Sequence, residues 1–264
     1  MSRLAACVDG IGLIGPGLAG WPAARAVLRA EAAYIDAPVV VAAPTALPPA
    51  ERRRTGLIVR LSLALGFEAV AASGLDASGL VSVFSSSGAD GDNCHAICET
   101  LAGTDRQISP TRFHNSVHNA PSGYWGIATG AMAPSTSICT YDATFGAGLL
   151  EAVSQVDAFD RPVLLVACDT PYPEPLHSTR PLPGSFGVAL VVAPRRSART
   201  LARIELDAAQ GEVTEMAEPP LEALRRHIPA ARGLPLLAAW ARDATASLTL
   251  DYLDGLQLVV HTAP

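Results

Sequence analysis

A strand-like segment breaks abruptly into a helix near residue 142. Residues 137–142 include β-branched side chains typical of strands, and a helix rich in small residues resumes over 145–152. Such a corner exposes one side chain beside the positive end of a helix, which is why enzymes often place a nucleophile there. The corner residue is Asp142.

Strand and helix patterns alternate along most of the chain. The strand patterns cover 4–14, 80–86, 136–141, 162–168, 186–193 and 201–207, with a hairpin of 246–253 and 255–262. The helix patterns cover 20–30, 48–74, 92–101, 116–130, 219–227 and 234–242. This alternation predicts an α/β layered fold around a largely parallel buried sheet.

Composition narrows the class of protein. Apolar residues make up 49% of the 264 residues, enough for one large core. Charged residues make up 17%, against about 25% in a typical soluble domain. This shortfall suggests a broad protein–protein interface, although an alanine-rich composition gives the same effect. The net charge is −6 and all 19 cations are arginine, which argues against a nucleic-acid partner. Five cysteines without a regular framework indicate a reducing cytoplasm, and no long apolar run predicts a membrane span.

A glycine motif near the start suggests a second possibility. Gly10, Gly12 and Gly15 match the spacing of a dinucleotide-binding loop, and Asp36 lies where a ribose-binding acid could stand. Pro16 follows the last glycine directly and makes a poor phosphate-binding helix start. The favoured interpretation is a glycine-rich strand turn, and no cofactor is expected.

A second group of residues raises the question of a metal. Cys94, His95 and Cys98 lie together, with His114 and His118 further along. The cysteine spacing lacks the two-residue knuckle of zinc sites, and no second cysteine pair stands nearby. We expect buried thiols and helix-capping imidazoles, and no metal.

Five segments in order resemble the β-ketoacyl synthases, the condensing enzymes of fatty acid and polyketide synthesis. They are Arg-Gln-Ile-Ser-Pro at 106–110, the helix within 115–130, Ala-Pro-Ser at 133–135, Thr-Tyr-Asp at 140–142 and the helix end at 149–152. The opening strand and turn at 8–16 and the strands at 162–169 and 185–193 also fit. The resemblance implies a thiolase-like α/β fold with a ketosynthase N-terminal domain at 1–195. Residues 196–264 would be a C-terminal extension packed on the same domain.

The resemblance also implies that the chemistry has been lost. An ungapped alignment to the family's pattern places Asp142 at the catalytic cysteine. Cys139 falls three residues early and is expected to be a buried strand residue. The His-Gly-Thr and Asn-His-Gly settings of the family's catalytic histidines do not occur, and His227 matches neither. The chain is therefore expected to be no enzyme, and Asp142 could instead bond backbone N–H groups of its own turn.

Short ketosynthase-like subunits offer the more specific resemblance. Residues 84–92 and 113–119 resemble the short, chain-length-factor-like proteins of aryl polyene clusters, which also lack the second ketosynthase half. This implies a noncatalytic cytoplasmic subunit that forms a heterodimer with a full-length β-ketoacyl synthase in a polyene or fatty-acid-like pathway. An acyl carrier protein would meet the complex. The alternative is an independent enzyme, either a carrier-protein-dependent decarboxylase or a hydrolase using a cysteine and a histidine.

The resemblance implies an interface as well. In the family the strand before the nucleophile pairs with its twin, and an open apolar edge strand needs a cover. The expected interface and tunnel residues are Val117, Tyr124, Trp125, Ile127, Met132, Ser137, Cys139 and Tyr141. The bulky side chains Tyr124 and Trp125 could equally fill this chain's own core. The Arg52, Arg53 and Arg54 cluster is either a solvated helix start, which we favour, or a carrier-protein docking patch.

Overall fold

The computed structural model describes residues 4–264 as an α/β domain built on one mixed sheet. The strands are β1 Leu4–Gly15, β2 Leu18–Ala19, β3 Val81–Ser85, β4 Ser135–Ile138, β5 Val163–Asp169, β6 Phe186–Ala193, β7 Ala202–Ala209, β8 Ala246–Leu253 and β9 Leu256–Ala263. The helices are α1 Trp21–Leu28, α2 Pro49–Arg52, α3 Leu57–Ser73, α4 Gly91–Ala102, α5 Pro110–His114, α6 Ala120–Thr129, α7 Thr144–Phe159, α8 Leu176–Thr179, α9 Pro219–His227 and α10 Leu234–Ala241. Short 3-10 turns at Tyr141–Ala143 and Pro229–Gly233 complete the parts used below.

The sheet runs in the order β4-β3-β5-β6-β1-β7-β9-β8, with β2 paired to β1. The β3–β4 and β3–β5 pairs are parallel, and the other pairs are antiparallel. The prediction of a largely parallel sheet is therefore wrong. A parallel pair needs a long crossover, and no long crossover helix joins β5 to β6, β6 to β7 or β8 to β9.

Helices cover both faces of the sheet. One core lies between one face of the sheet and helices α3 and α6, and it includes side chains of β5 and β6. The other lies between the opposite face and α1, α7, α9 and α10. Gly10 and Gly12 let α3 approach β1 closely. A Cβ on Gly10 would lie 2.1 Å from the Ala69 carbonyl oxygen, and a Cβ on Gly12 would lie 2.4 Å from the Leu65 carbonyl oxygen. Their role in the fold is helix–strand packing inside β1, whereas the expected glycine-rich turn is found at Gly15, where β1 ends and turns into β2.

Three predicted elements are shorter in the structure. The helix expected over 48–74 is interrupted at residues 53–56, where Gly56 is extended (φ −72°, ψ 174°) and Thr55 Oγ1 bonds the Arg52 carbonyl. The helix expected over 116–130 begins only at Ala120, because Pro121 lacks the N–H that a longer helix would need. The strand expected over 136–141 ends at Ile138.

The C-terminal segment joins the same sheet. The predicted hairpin is present as β8 and β9, with Gly255 in the left-handed region (φ +72°) that its turn requires. Two close approaches bind this segment to α7. A Cβ on Gly146 would lie 2.7 Å from the Asp251 carbonyl oxygen, and a Cβ on Gly233 would lie 2.5 Å from the Phe145 ring. The domain boundary at residue 195 stays a prediction.

No helix within residues 4–264 combines the length and apolar character needed to cross a bilayer.

Candidate functional site

The candidate site lies where β3, β4 and β5 end, because the carboxyl ends of parallel strands meet at one edge of a sheet. The chain leaves β4 after Ile138, passes through residues 139–143, here called the corner, and begins α7 at Thr144. Ser85 Oγ donates to the Thr144 carbonyl at 2.7 Å and so fixes α7 against the end of β3. Tyr141 has a positive φ of 52°, an uncommon conformation for a bulky residue. The predicted abrupt strand-to-helix turn is thus present.

Two arginines bind the carboxylate of Asp142. Arg180 Nη2 donates to Oδ1 at 2.7 Å, and Arg232 Nη2 donates to Oδ2 at 3.2 Å. The Arg180 guanidinium also stacks on the Tyr141 ring, 3.6 Å from its centroid. The suggested bonds from Asp142 to its own turn are therefore not what the structure shows. Its negative charge is neutralised by two side chains that are distant from it in the sequence.

The ion pair continues into the C-terminal segment. Arg232 Nη1 lies 3.8 Å from Asp251 Oδ1, and Arg225 Nη1 lies 2.6 Å from Asp251 Oδ2. Arg225 Nη2 in turn lies 2.7 Å from Glu222 Oε1, and the hydrogen bonds from Arg225 lower the pKa of Glu222 against the opposing effect of burial. Acidic and basic groups alternate along this chain of contacts, so α9, the Pro229–Gly233 turn and β8 are all tied to the corner.

The prediction that Cys139 is a buried strand residue is wrong. Its side chain is exposed rather than buried, and it lies beyond the end of β4. Because β4 is the last strand of the sheet, nothing in residues 4–264 pairs with its outer edge. The thiol donates to the Ser87 carbonyl at 3.2 Å, and the ring of His118 bonds Ser86 Oγ at 3.2 Å instead of a thiol. Cys139 and His118 thus have separate partners.

A buried carboxylate organises the loop after β3. Asp169 accepts hydrogen bonds from the backbone N–H of Ser87 at 2.7 Å and of Ala230 at 2.8 Å. Its complete burial raises its pKa, although these bonds oppose the shift. Ser87 Oγ also bonds the Tyr172 hydroxyl at 3.0 Å. Asp169 therefore joins the ends of β3 and β5 to the C-terminal segment.

Tyr124 and Trp125 lie inside this chain's own core, with exposures of 2% and 1%. The Trp125 ring packs against Phe67 at a centroid distance of 5.0 Å, and the Tyr124 hydroxyl donates to Asn115 Oδ1 at 3.1 Å. The prediction that these two side chains project towards a partner is wrong, and the alternative that they fill the core is right. They face α3 because α6 packs on it.

The other predicted interface residues lie nearer the surface. Val117, Ile127, Met132 and Tyr141 are exposed, Met132 at 94%. Ser137 is half-buried, and its Oγ lies 3.4 Å from Ser122 Oγ on α6. They lie along the segment that runs from α5 through β4 to the corner.

The backbone of β4 presents an open edge. On the side that faces β3, the carbonyl oxygens of Pro134 and Ile138 accept hydrogen bonds from the backbone N–H groups of Ser82 and Ser86. Because successive residues of a strand alternate in direction, the N–H and C=O groups of Ser135 and Ser137 point the other way. No strand of the described chain lies there.

The three adjacent arginines differ in their surroundings. Arg52 Nη2 donates to the carbonyls of Thr45 and Leu47 at 3.3 and 3.0 Å, so it supports a loop. Arg53 and Arg54 are exposed, and Arg54 pairs with Glu51 at 3.0 Å.

The sequence suggested buried thiols at Cys94 and Cys98, but both are exposed on α4. His95 Nε2 lies 3.3 Å from Glu99 on the same helix. Across residues 4–264, no three His, Cys, Asp or Glu side chains are grouped as potential metal ligands.

Sequence reasoning missed Arg180, Arg232 and Asp169. No motif marks them, and the two arginines lie 38 and 90 residues from Asp142. Only the folded chain brings them to the corner.

Comparisons with known proteins agree on the architecture. Residues 21–249 match the family model of the β-ketoacyl synthase N-terminal domain. Among solved structures, a chain of the complex of the ketosynthase ApeO with its chain length factor ApeC from Xenorhabdus doucetiae is 23% identical, with a TM-score of 0.73 over 97% of this chain and 99% of that chain. The ishigamide ketosynthase/chain length factor is 14% identical, with a TM-score of 0.73 over 98% and 99%.

A β-ketoacyl synthase from Burkholderia phymatum STM815 is 14% identical, with a TM-score of 0.62 over 93% of this chain and 71% of that chain. No curated protein matches the sequence significantly. At these identities the structural likeness shows the fold, which is thiolase-like as predicted. Because the family model spans most of the sequence, the chain belongs to the β-ketoacyl synthase N-terminal domain family.

Proposed function

We propose that this chain is a noncatalytic, chain-length-factor-type subunit that pairs with an active β-ketoacyl synthase. The observation that carries the proposal is the Asp142 carboxylate, held between Arg180 and Arg232 at the corner where the family's nucleophile would stand. A carboxylate neutralised by two guanidiniums is a poor nucleophile, and its acyl anhydride would hydrolyse rapidly. The condensing cysteine is then the partner's, and the carrier protein delivers its acyl group to the complex.

The open edge of β4 supports the pairing. Its outward backbone groups at Ser135 and Ser137 would template aggregation unless another strand covers them. Exposed apolar side chains beside this edge, among them Ile127 and Met132, give a partner area to bury. The X. doucetiae neighbour is described as a ketosynthase in complex with its chain length factor, which favours the same arrangement here. Aryl polyene or related polyene assembly is the pathway class that we propose.

Co-expression with the full-length ketosynthase, followed by light scattering on a sizing column, tests the pairing. We expect a one-to-one complex for the wild-type chain. Ser137→Pro removes the outward N–H and should abolish the complex, whereas the matched Ser137→Ala keeps that N–H and should preserve it. Circular dichroism and urea unfolding of both variants establish that they are folded. A Ser137→Pro chain that is folded and still pairs normally would refute the β4 interface.

A separate assay tests the noncatalytic assignment. We expect the isolated Asp142→Cys variant to form no condensation product from acyl and malonyl carrier proteins. Product formation by the isolated variant would overturn the assignment and favour an independent enzyme.

A further inference from the structure

A cleft of about 400 Å³ lies against one face of helix α9. The helix contributes four lining residues: Pro220, Ala223, Leu224 and His227. Their spacing of three, four and seven residues places them on one side of an α-helix. The volume falls within the range of small-molecule sites. The corner residues do not line this cleft, so it is separate from the Asp142 ion pair.

The remaining lining comes from the turn after β1, the segment after α1 and the loop before β6: Pro16, Tyr34, Asp36, Pro181 and Pro183. Close approaches hold these parts together. Gly17 has a φ of +66°, and a Cβ on it would lie 2.3 Å from the Ile35 carbonyl oxygen. The Gly17 N–H donates to the Ala37 carbonyl at 2.9 Å. A Cβ on Gly184 would lie 2.8 Å from Pro16 Cγ. The fold itself therefore shapes the cleft.

The lining uses its own hydrogen-bond donors. Four of its nine residues are proline, which has no backbone N–H. The Tyr34 hydroxyl donates to the Pro16 carbonyl at 3.1 Å, and burial, followed by the charge of Asp36, raises the pKa of Tyr34, so this donor stays protonated. His227 Nδ1 lies 2.8 Å from the Ala223 carbonyl oxygen. Because a carbonyl oxygen can only accept, Nδ1 carries a proton that is used inside the wall.

Two acceptor groups remain for a ligand. One is the exposed carboxylate of Asp36, whose Oδ1 lies 3.4 Å from the Tyr34 hydroxyl. No arginine of residues 4–264 lines the cleft, so this negative charge has no cationic partner there. The other is His227 Nε2, which is an acceptor in the neutral ring because Nδ1 holds the proton. A ligand that meets both groups has to supply donors, and a positive charge would complement Asp36.

We propose that this cleft binds an organic cation with an apolar stem, of the alkylguanidinium or alkylammonium class. The charged head pairs with Asp36 and donates to His227 Nε2. The proline rings, Ala223 and Leu224 provide apolar surface for the stem, and the Tyr34 ring is an aromatic group that attracts cations. The cation could be a free small molecule or an arginine side chain of another protein. The proposal does not depend on pairing with a ketosynthase.

An NMR titration of the full chain with butylguanidinium tests the site. We expect saturable shifts of the Ala223, Leu224 and His227 amides. Butylurea has the same stem without the charge, and it should bind more weakly. Unchanged amide signals up to high millimolar butylguanidinium, or equal affinities for the two probes, would overturn the proposal.

Three variants locate the binding. Asp36→Asn keeps the size of the side chain but loses its charge, and should weaken butylguanidinium binding about fivefold, the upper range for a solvated ion pair. Asp254→Asn makes the same charge change at an exposed turn outside the lining, and should leave the affinity within about twofold. Ala223→Leu fills the cleft from an exposed position of α9 and should abolish saturable binding. Circular dichroism establishes that all three are folded. Equal affinities of the two aspartate variants, or full binding by folded Ala223→Leu, would refute the site.

Competition then distinguishes the two sources. Displacement of butylguanidinium by agmatine alone would identify a free small cation. Displacement also by N-acetylarginine methylamide, which resembles an arginine within a polypeptide, would identify a site that admits a protein side chain. If neither competes at the His227 amide, the cation site is refuted.

Discussion

Replacing Asp142 with alanine removes the carboxylate that two arginines share at the corner. The side chains of Arg180 and Arg232 are only 16% and 18% exposed, so Arg180 would lose the ion pair of a poorly solvated charge, and Arg232 would keep only the longer contact to Asp251 at 3.8 Å. A hydrogen bond to a charged group contributes about 1.5–3 kcal/mol. Because the Asp142 side chain is 43% exposed, solvent screening reduces the sum of the two. We expect a net loss of about 2 kcal/mol in the free energy of unfolding.

Urea denaturation followed by circular dichroism measures this loss. With an m value of about 3 kcal/mol per M, the midpoint should fall by about 0.7 M. Glu31→Ala is the matched control, because Glu31 pairs with Arg29 at the surface with 58% of its side chain exposed. It should cost at most about 0.5 kcal/mol. Asp142→Asn keeps an acceptor oxygen but loses the charge, and should lie between wild type and Asp142→Ala. An Asp142→Ala midpoint no lower than that of Glu31→Ala would refute the structural role of this ion pair.

Two further predictions concern packing and thiol accessibility. Gly10→Ala should destabilise the chain by about 3 kcal/mol or prevent folding, because its Cβ would lie 2.1 Å from the Ala69 carbonyl oxygen. Gly123→Ala, in open space on α6, should stabilise it by about 0.5–1 kcal/mol in the same urea assay. Brief alkylation of the native chain at pH 8 should modify exposed Cys139 and spare Cys168, because burial raises the pKa of Cys168 to about 12. Peptide mass spectrometry measures both sites, and rapid modification of Cys168 would contradict its burial.

Local signals predicted the order of the elements and the corner. The strand β1, the helix α4 and the hairpin β8–β9 appear where periodicity and turn residues indicated them, since these signals act over a few neighbouring residues. The relative direction of paired strands could not be predicted from such local signals. Two strands are antiparallel when their connection stays at one end of the sheet and parallel when it crosses to the other end. The alternation of elements does not distinguish these cases, so it predicted too many parallel pairs.

The sequence pattern also did not indicate which face of α6 packs against the core. Tyr124, Trp125 and Ile127 are close together and all apolar, so composition could not say which of them faces the core. Packing against α3 decides it, because Gly66 leaves room for the Trp125 ring. Ile127 remains half-exposed on another side of the helix. A short helix with apolar residues around most of its circumference carries too little periodicity to distinguish core from interface.

The Asp142 ion pair links the corner to the C-terminal segment. Arg232 belongs to the same turn as Gly233, which packs against Phe145, while Asp251 lies on the strand whose backbone contacts Gly146. The segment that carries these charges thus covers the first turn of α7. A cysteine at position 142 would take the carboxylate away from Arg180 and Arg232 beneath that segment, and its thiolate would pair with a guanidinium instead of facing an open substrate path. On the proposed noncatalytic assignment, a single substitution at position 142 should therefore not make this chain a condensing enzyme.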